Sequence, residues 1–127
     1  MNLGCNTVLF GGFDLNTALK YIKWCGYDGV ELACIPGMAE HVTVDMSSEE
    51  LANIRRAIDE SGLILNAIEA ACNLSDPEAR AWFIRVLDVA KELGVPIVTS
   101  GSGGEQTEDG FRTAVAAVQE VSDAAAE

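Results

Sequence analysis

Six polar side chains in this 127-residue sequence could contact a small ligand, since each lies near the end of an apolar run or in a loop beside one. They are Asn6, Glu31, His41, Asn73, Ser100 and Ser102. Their amide, carboxylate, imidazole and hydroxyl groups donate or accept hydrogen bonds and can orient a hydroxylated ligand. Their spacing identifies no catalytic residue and no set of metal ligands.

Glu31 alternates with Val30 and Leu32, so it faces the opposite side of a strand from both neighbours. In a barrel it would point inward near the carboxyl end of that strand. A buried carboxylate needs a partner, which could be a ligand hydroxyl or an internal basic or backbone donor. Glu69 falls within a later strand, but its direction depends on a register that the sequence does not give.

The only histidine, His41, lies in a long predicted loop over residues 35–45. Its imidazole could bind a ligand hydroxyl or assist a metal, although a loop histidine is more often solvated. Asn6 and Asn73 lie near the ends of predicted strands, where they could orient a ligand. Asn73 could equally cap the turn before the next helix, which we favour slightly.

Ser100 and Ser102 belong to a glycine-rich run over residues 100–104. Backbone N–H groups of such a run could cradle an anion at the start of a helix. The run lacks the lysine and threonine of a P-loop and does not match GxGxxG. A flexible loop is therefore the better expectation.

A repeated unit would position these residues, because amphipathic helices end at Gly26, Gly62 and Gly94 and a short apolar strand follows each glycine. Repeats of this kind predict parallel strands with helical crossovers. Such folds carry their chemistry at the carboxyl ends of the strands. The sequence thus predicts an α/β fold of four βα units, which is half of a (β/α)8 barrel.

The predicted strands cover residues 3–10, 30–32, 63–68 and 97–100. Capping residues predict the starts of three helices, at Asp14, at the Ser47 and Glu50 capping box, and at Asp76 with Pro77. The final helix is predicted from the apolar spacing of Phe111, Val115, Val118 and Val121.

Composition limits the function further. The apolar share of 49% suits a single domain over residues 1–127, whereas a closed barrel takes about 250 residues. Twenty acidic and eight basic residues give a charge of −12, which disfavours nucleic acid and membranes as partners. No leader or membrane span is predicted, so we expect a cytoplasmic protein. The four scattered cysteines should then be free thiols, since thiols stay reduced in the cytosol.

The sequence stops inside the last predicted helix, without the expected glycine and fifth strand. We therefore expect an incomplete domain, cut within a longer chain. The first and fourth strands would then be open edges. A homodimer or a missing carboxyl-terminal half would close them.

Four stretches carry a resemblance to a known family: residues 27–32 (YDGVEL), 72–78 (CNLSDPE), 90–98 (AKELGVPIV) and 100–104 (SGSGG). Together they resemble the xylose-isomerase-like TIM barrel superfamily. That superfamily includes sugar phosphate isomerases and epimerases and repair enzymes of the AP endonuclease family 2 type. The resemblance covers essentially the whole chain, as the amino-terminal half of the barrel.

The resemblance implies an enzyme that uses a divalent metal (Mn, Mg, Zn or Co) to move protons between neighbouring carbons of a sugar or sugar phosphate. In the family, the metal ligands lie mainly on the fifth to eighth strands, which this chain does not supply. The chain alone is thus expected to bind no metal and to be inactive. The repair enzymes have histidines after the third and fourth strands, whereas this chain has Cys72-Asn73 and Ser100-Gly101-Ser102 there. That departure and the acidic charge argue against the repair-enzyme branch.

Two other interpretations remain open. The first is a non-catalytic half-barrel module that dimerises or binds a small ligand. The second is a flavodoxin-like domain with helices on both faces of an open sheet, although no convincing phosphate loop supports it.

Overall fold

The computed structural model describes residues 1–126 and has an α/β fold with a parallel sheet, as predicted. Its strands are β1 (Gly4–Asn6), β2 (Gly29–Ile35), β3 (Ala39–Glu40), β4 (Ile64–Asn73) and β5 (Val98–Gly101). Its α-helices are α1 (Leu15–Trp24), α2 (Ser48–Ser61), α3 (Pro77–Leu93) and α4 (Glu108–Ala125). A short 3-10 helix covers Thr7–Phe10.

The main sheet has the strand order β1-β2-β4-β5, and each neighbouring pair is parallel. One helix follows each of these strands, which gives the four predicted βα units. β3 pairs with β2 in antiparallel orientation and lies off this path. A register shift between β2 and β4 occurs at Val30 and Glu31.

Three strand predictions were wrong in extent, among them the second, which was predicted over residues 30–32 and is β2 (Gly29–Ile35). The predicted first strand over residues 3–10 ends at Asn6, because the Asn6 side chain accepts a hydrogen bond from the Val8 N–H (2.8 Å) and starts a 3-10 helix. The predicted loop over residues 35–45 contains β3, which pairs back onto the end of β2. The third predicted strand is also longer than 63–68, since β4 continues to Asn73.

The predicted helix starts are confirmed. Asp14, Ser47 and Asp76 accept hydrogen bonds from backbone N–H groups of the first turns of α1, α2 and α3. Ser47 and Glu50 form the complete capping box. At the other ends of α2 and α3, Gly62 and Gly94 take the left-handed conformation that favours glycine (φ 69° and 67°).

The hydrophobic core lies between the sheet and the helices. Val30, Leu32 and Ile68 are fully buried on the outer face of the sheet, where Ile58 of α2 and Val86 of α3 join the same cluster. Because side chains alternate along a strand, Glu31 and Glu69 lie on the opposite, inner face.

The predicted apolar stripe of α4 is buried only in part. Val121 and Ala117 face the core, whereas Phe111, Val115 and Val118 are exposed. The stripe is wider than the contact that α4 makes with the rest of the chain.

Candidate functional site

The strand register brings four polar residues together on the inner face. Asn6 of β1 is paired with Glu31 of β2, and Glu69 of β4 is paired with Thr99 of β5. The β2–β4 register places Glu31 opposite Ala67, two residues before Glu69, so both glutamates share one face. We call Asn6, Glu31, Glu69 and Thr99 the inner polar cluster.

Hydrogen bonds connect the whole inner polar cluster. The Asn6 Nδ2 group donates to Glu31 Oε2 (2.7 Å) and to Glu69 Oε2 (2.6 Å). Thr99 Oγ1 donates to Glu31 Oε1 (2.8 Å). One asparagine amide therefore bridges two carboxylates.

The orientation of this amide is fixed by the backbone. Asn6 Oδ1 accepts the N–H of Val8, and an N–H group can only be matched by the oxygen of the amide. The amide nitrogen must then face the two carboxylates. The same side chain thus begins the 3-10 helix and holds the inner polar cluster together.

The inner polar cluster carries negative charge. In residues 1–126 the ion pairs join Arg55 to Asp59, Arg80 to Glu120, Arg85 to Asp45 and Arg112 to Glu108, and none includes Glu31 or Glu69. Both glutamates are only half-buried. Glu69 Oε1 has no hydrogen-bond partner among the described residues, so it is available to a donor on a ligand.

Glycines make room beside the inner polar cluster. A Cβ atom on Gly29 would collide with the Asn66 amide, and one on Gly4 would lie 2.9 Å from Asn66 Nδ2. Asn66 occupies the register shift between β2 and β4, so its side chain lies over both glycines. The inner face is thus shaped by small residues as well as polar ones.

His41 lies apart from the inner polar cluster, and it is not solvated as a typical loop histidine would be. Only 8% of its surface is exposed, and its Nε2 lies 3.0 Å from the carbonyl oxygen of Phe13. Because that carbonyl only accepts, Nε2 carries the proton and donates. His41 Nδ1 is buried without a partner in the described residues. The imidazole therefore ties the segment after the 3-10 helix to the segment after β3.

The other three candidate residues also lie outside the inner polar cluster. Asn73 Oδ1 accepts the Ser75 N–H (3.1 Å), which is the turn-capping role that we favoured. The Ser100 hydroxyl lies on the outer face and donates to the Ala70 carbonyl (3.0 Å). Ser102 contacts Ser75 through its carbonyl oxygen (3.4 Å).

Of the six candidates, the structure thus brings together only Asn6 and Glu31. Sequence reasoning did not place Glu69, because its direction depends on the register of β4. It missed Thr99 entirely, although alternation from Val98 could have indicated an inward side chain.

A metal does not fit the described residues by themselves. Among residues 1–126, no three His, Cys, Asp or Glu side chains are grouped so that they could hold a metal ion. The two inner carboxylates already share the Asn6 amide.

A layer of parallel strands with helices outside and a polar inner face is one half of the wall of a (β/α)8 barrel. The chain belongs to the xylose isomerase-like TIM barrel family, whose model matches residues 19–127. No curated protein matches the chain in sequence. None of the helices described for residues 1–126 is both long and apolar enough to span a membrane.

Solved structures share the fold. A xylose isomerase domain containing protein from Salmonella typhimurium LT2 is 16% identical (TM-score 0.73), and 98% of this chain matches 45% of that one. A sugar phosphate isomerase/epimerase from Parabacteroides distasonis ATCC 8503 is 17% identical (TM-score 0.72), and 98% of this chain matches 47% of that one. The chain thus spans about half the length of these proteins.

Proposed function

We propose that the chain forms the amino-terminal half of the barrel of a metal-dependent sugar or sugar phosphate isomerase or epimerase, and that its inner polar cluster binds substrate hydroxyls. The observation that carries this proposal is the Asn6 amide that bridges Glu31 and Glu69 on the inner face. Family membership and the similar sugar phosphate isomerase/epimerase support it.

The inner polar cluster suits a hydroxylated ligand because its carboxylate oxygens accept hydrogen bonds from hydroxyl groups. Among residues 1–126, no cationic side chain forms an ion pair with these carboxylates. Glu69 Oε1 can accept a hydrogen bond from a sugar hydroxyl without displacing any bond within the chain. The Thr99 hydroxyl and Asn6 amide hold the other carboxylate oxygens in place, so this acceptor site is preorganised. A phosphate group would be repelled by both carboxylates, so a sugar phosphate would bind with its phosphate away from this wall.

The two carboxylates would orient the substrate, and other groups would transfer its protons. Epimerisation needs one group to remove a proton and another to return it from the opposite side of the sugar. Glu31 and Glu69 lie on the same wall and contact the same amide, so they are on one side of any substrate. The groups that transfer protons would therefore come from the other half of the barrel.

The same argument applies to the metal. A divalent ion such as Mn²⁺, Mg²⁺, Zn²⁺ or Co²⁺ would be held chiefly by residues outside this chain, since the described residues do not fit one. The chain by itself would then be inactive. We also propose a cytoplasmic location, which rests on the sequence alone.

Titration with a neutral ketose and with its phosphate ester, followed in ¹H–¹⁵N spectra, would test hydroxyl binding. We expect the ketose to shift the signals of the Asn6 side chain and of neighbouring inner-face residues. A hydrogen bond to a charged group contributes about 1.5–3 kcal/mol and one to a neutral group about 0.5–1.5 kcal/mol, so Glu69→Gln should weaken binding about fivefold to tenfold.

Glu60→Gln, on the exposed surface of α2, is the matched control and should leave binding unchanged. Shifts confined to the outer surface, or an equal loss in both variants, would contradict the proposal.

A further inference from the structure

The segments that follow β1 and β2 form a cleft that the proposed function does not use. Its volume is about 240 Å³, and residues 12–13 and 37–41 line it. Both walls belong to this chain, and each contains a glycine with positive φ, Gly12 (88°) or Gly37 (75°). The cleft lies beyond the carboxyl ends of the two strands, which is the side where barrels of this kind carry their chemistry.

One lining residue of the cleft, His41, has a ring nitrogen without a partner. Its Nε2 donates to the Phe13 carbonyl oxygen (3.0 Å), and this bond fixes the tautomer that leaves a lone pair on Nδ1. Only 8% of the His41 surface is exposed, and Nδ1 is buried without a partner in the described residues. A buried acceptor without a hydrogen bond costs free energy, and native structures seldom keep one. Nδ1 is therefore suited to a donor from outside the chain.

The size of the cleft indicates what that donor belongs to. A water takes about 30 Å³, whereas a pocket that encloses a complete small ligand measures about 300–1,000 Å³. The cleft has more room than one water needs and less than a whole ligand needs. It therefore suits one end of a larger ligand.

The side chains of the cleft accept hydrogen bonds and carry no positive charge. Glu40 Oε1 accepts the Gly37 N–H (2.8 Å), and Glu40 Oε2 has no partner among the described residues. All eight lysines and arginines lie in the four α-helices, and none lines the cleft. Phe13 and Met38 are exposed and offer apolar surface to C–H groups. A hydroxyl group thus fits these walls, whereas a phosphate would be repelled by Glu40.

The cleft adjoins the inner polar cluster along β2. The backbone N–H of His41 donates to the Ala33 carbonyl oxygen (3.0 Å). Ala33 follows Glu31 by two residues on the same face of the strand, and two strand residues span about 7 Å. A single ligand can therefore extend from the inner polar cluster to the cleft.

We propose that the cleft binds a hydroxyl group at one end of a sugar whose other hydroxyls lie on the inner polar cluster, and that His41 Nδ1 accepts its hydrogen bond. This inference rests on the proposed function, since the same ligand occupies both places. Nδ1 is covered in this structure, so ligand entry requires a small rearrangement of the two segments. A sugar phosphate would enter with its phosphate pointing away from the cleft.

The imidazole ¹⁵N signals of His41 test this proposal, because the chain contains no other histidine. Long-range ¹H–¹⁵N spectra distinguish the protonated Nε2 from the unprotonated Nδ1. Titration with the neutral ketose should move the Nδ1 signal to lower frequency, as occurs when such a nitrogen accepts a hydrogen bond. Nε2 should stay protonated, because it remains bound to the Phe13 carbonyl.

His41→Gln provides a second measurement. Its amide retains an N–H group for the Phe13 carbonyl but lacks the ring nitrogen Nδ1. Ketose binding should weaken about two- to tenfold, which corresponds to the loss of one neutral hydrogen bond. Circular dichroism should stay unchanged, and Glu60→Gln on the exposed surface of α2 should bind as the unsubstituted chain does.

An Nδ1 signal that the ketose leaves in place would overturn the proposal, and so would undiminished binding to His41→Gln. If the Asn6 signals shift in the same titration while Nδ1 does not, the cleft is excluded and the proposed function stands. If Nδ1 shifts while the Asn6 signals do not, the cleft binds a hydroxyl and the proposed role of the inner polar cluster is contradicted.

Discussion

The two faces of the sheet differ in what they contribute. The outer face includes Val30, Leu32 and Ile68, which are fully buried beneath the helices. The inner face carries Glu31 and Glu69, which are half-buried and share one amide donor. Burial of apolar surface stabilises the fold, whereas Glu69 Oε1 on the inner face has no hydrogen-bond partner among the described residues. The same strands thus provide the apolar core on one side and the proposed binding surface on the other.

Removal of a large outer-face side chain should have the largest effect. Leu32 is fully buried between the sheet and the helices, so Leu32→Ala should reduce the free energy of unfolding by about 2–5 kcal/mol, because it leaves a cavity. Urea denaturation followed by circular dichroism would measure this. An effect below about 1 kcal/mol would mean that the helices do not pack closely on this face.

Thiols on the buried outer face should be less reactive than thiols on the surface. Burial raises the pKa of the Cys34 thiol to about 11, and the charge of Glu40 adds to the rise. At pH 8 the thiolate of Cys34 should therefore be about a hundredfold rarer than that of an ordinary thiol, and iodoacetamide should modify exposed Cys25 first.

The raised pKa also predicts a pH effect on stability. The folded state keeps the Cys34 proton in a range where the unfolded state loses it. The stability that this thiol contributes should thus be lost as the pH rises from 9.0 to about 11. Rapid alkylation of Cys34 in the folded protein at pH 8 would contradict the burial of the outer face.

Close packing at the register shift should make Gly29 sensitive to substitution. A Cβ atom there would collide with the Asn66 amide and lie 2.9 Å from the Ile64 carbonyl oxygen. Gly29→Ala should cost about 1–3 kcal/mol through overpacking. Gly101→Ala is the control, since its Cβ would meet only the Cys72 carbonyl oxygen at 3.5 Å. Equal urea midpoints for both variants would disprove the close approach.

Loss of the bridging amide should have a smaller effect on stability. Asn6→Ala removes the donor to both carboxylates and the cap of the 3-10 helix, so it should cost about 1–2 kcal/mol. Thermal unfolding would measure this loss. Stability equal to that of the unsubstituted chain would mean that water replaces the Asn6 amide without cost.

Local signals in the sequence predicted the helices well. The Ser47 and Glu50 capping box and the Asp76 cap act within one turn, so the residues themselves specify these starts. Glycines at the ends of α2 and α3 are equally local. The parallel topology followed from the repeat of helix, glycine and apolar strand.

Features that depend on distant residues were not predictable. Glu69 contacts Asn6 across 63 positions of sequence, and that contact depends on the register of β4 against β2. The early end of β1 depends on a single hydrogen bond from the Val8 N–H to the Asn6 side-chain oxygen, and the apolar run over residues 3–10 gives no sign of it. The sequence therefore predicted only two members of the inner polar cluster, Asn6 and Glu31.

The ¹H–¹⁵N signals of the Asn6 side-chain amide, recorded without ligand, test most directly whether one amide bridges the two inner carboxylates. Both Glu31→Gln and Glu69→Gln should move these signals to lower proton frequency, because each replaces a charge-assisted hydrogen bond by a weaker neutral one. Glu60→Gln should leave them in place. If either inner-face variant leaves the Asn6 signals unchanged, the carboxylates do not converge on this amide, and the proposed binding surface is contradicted.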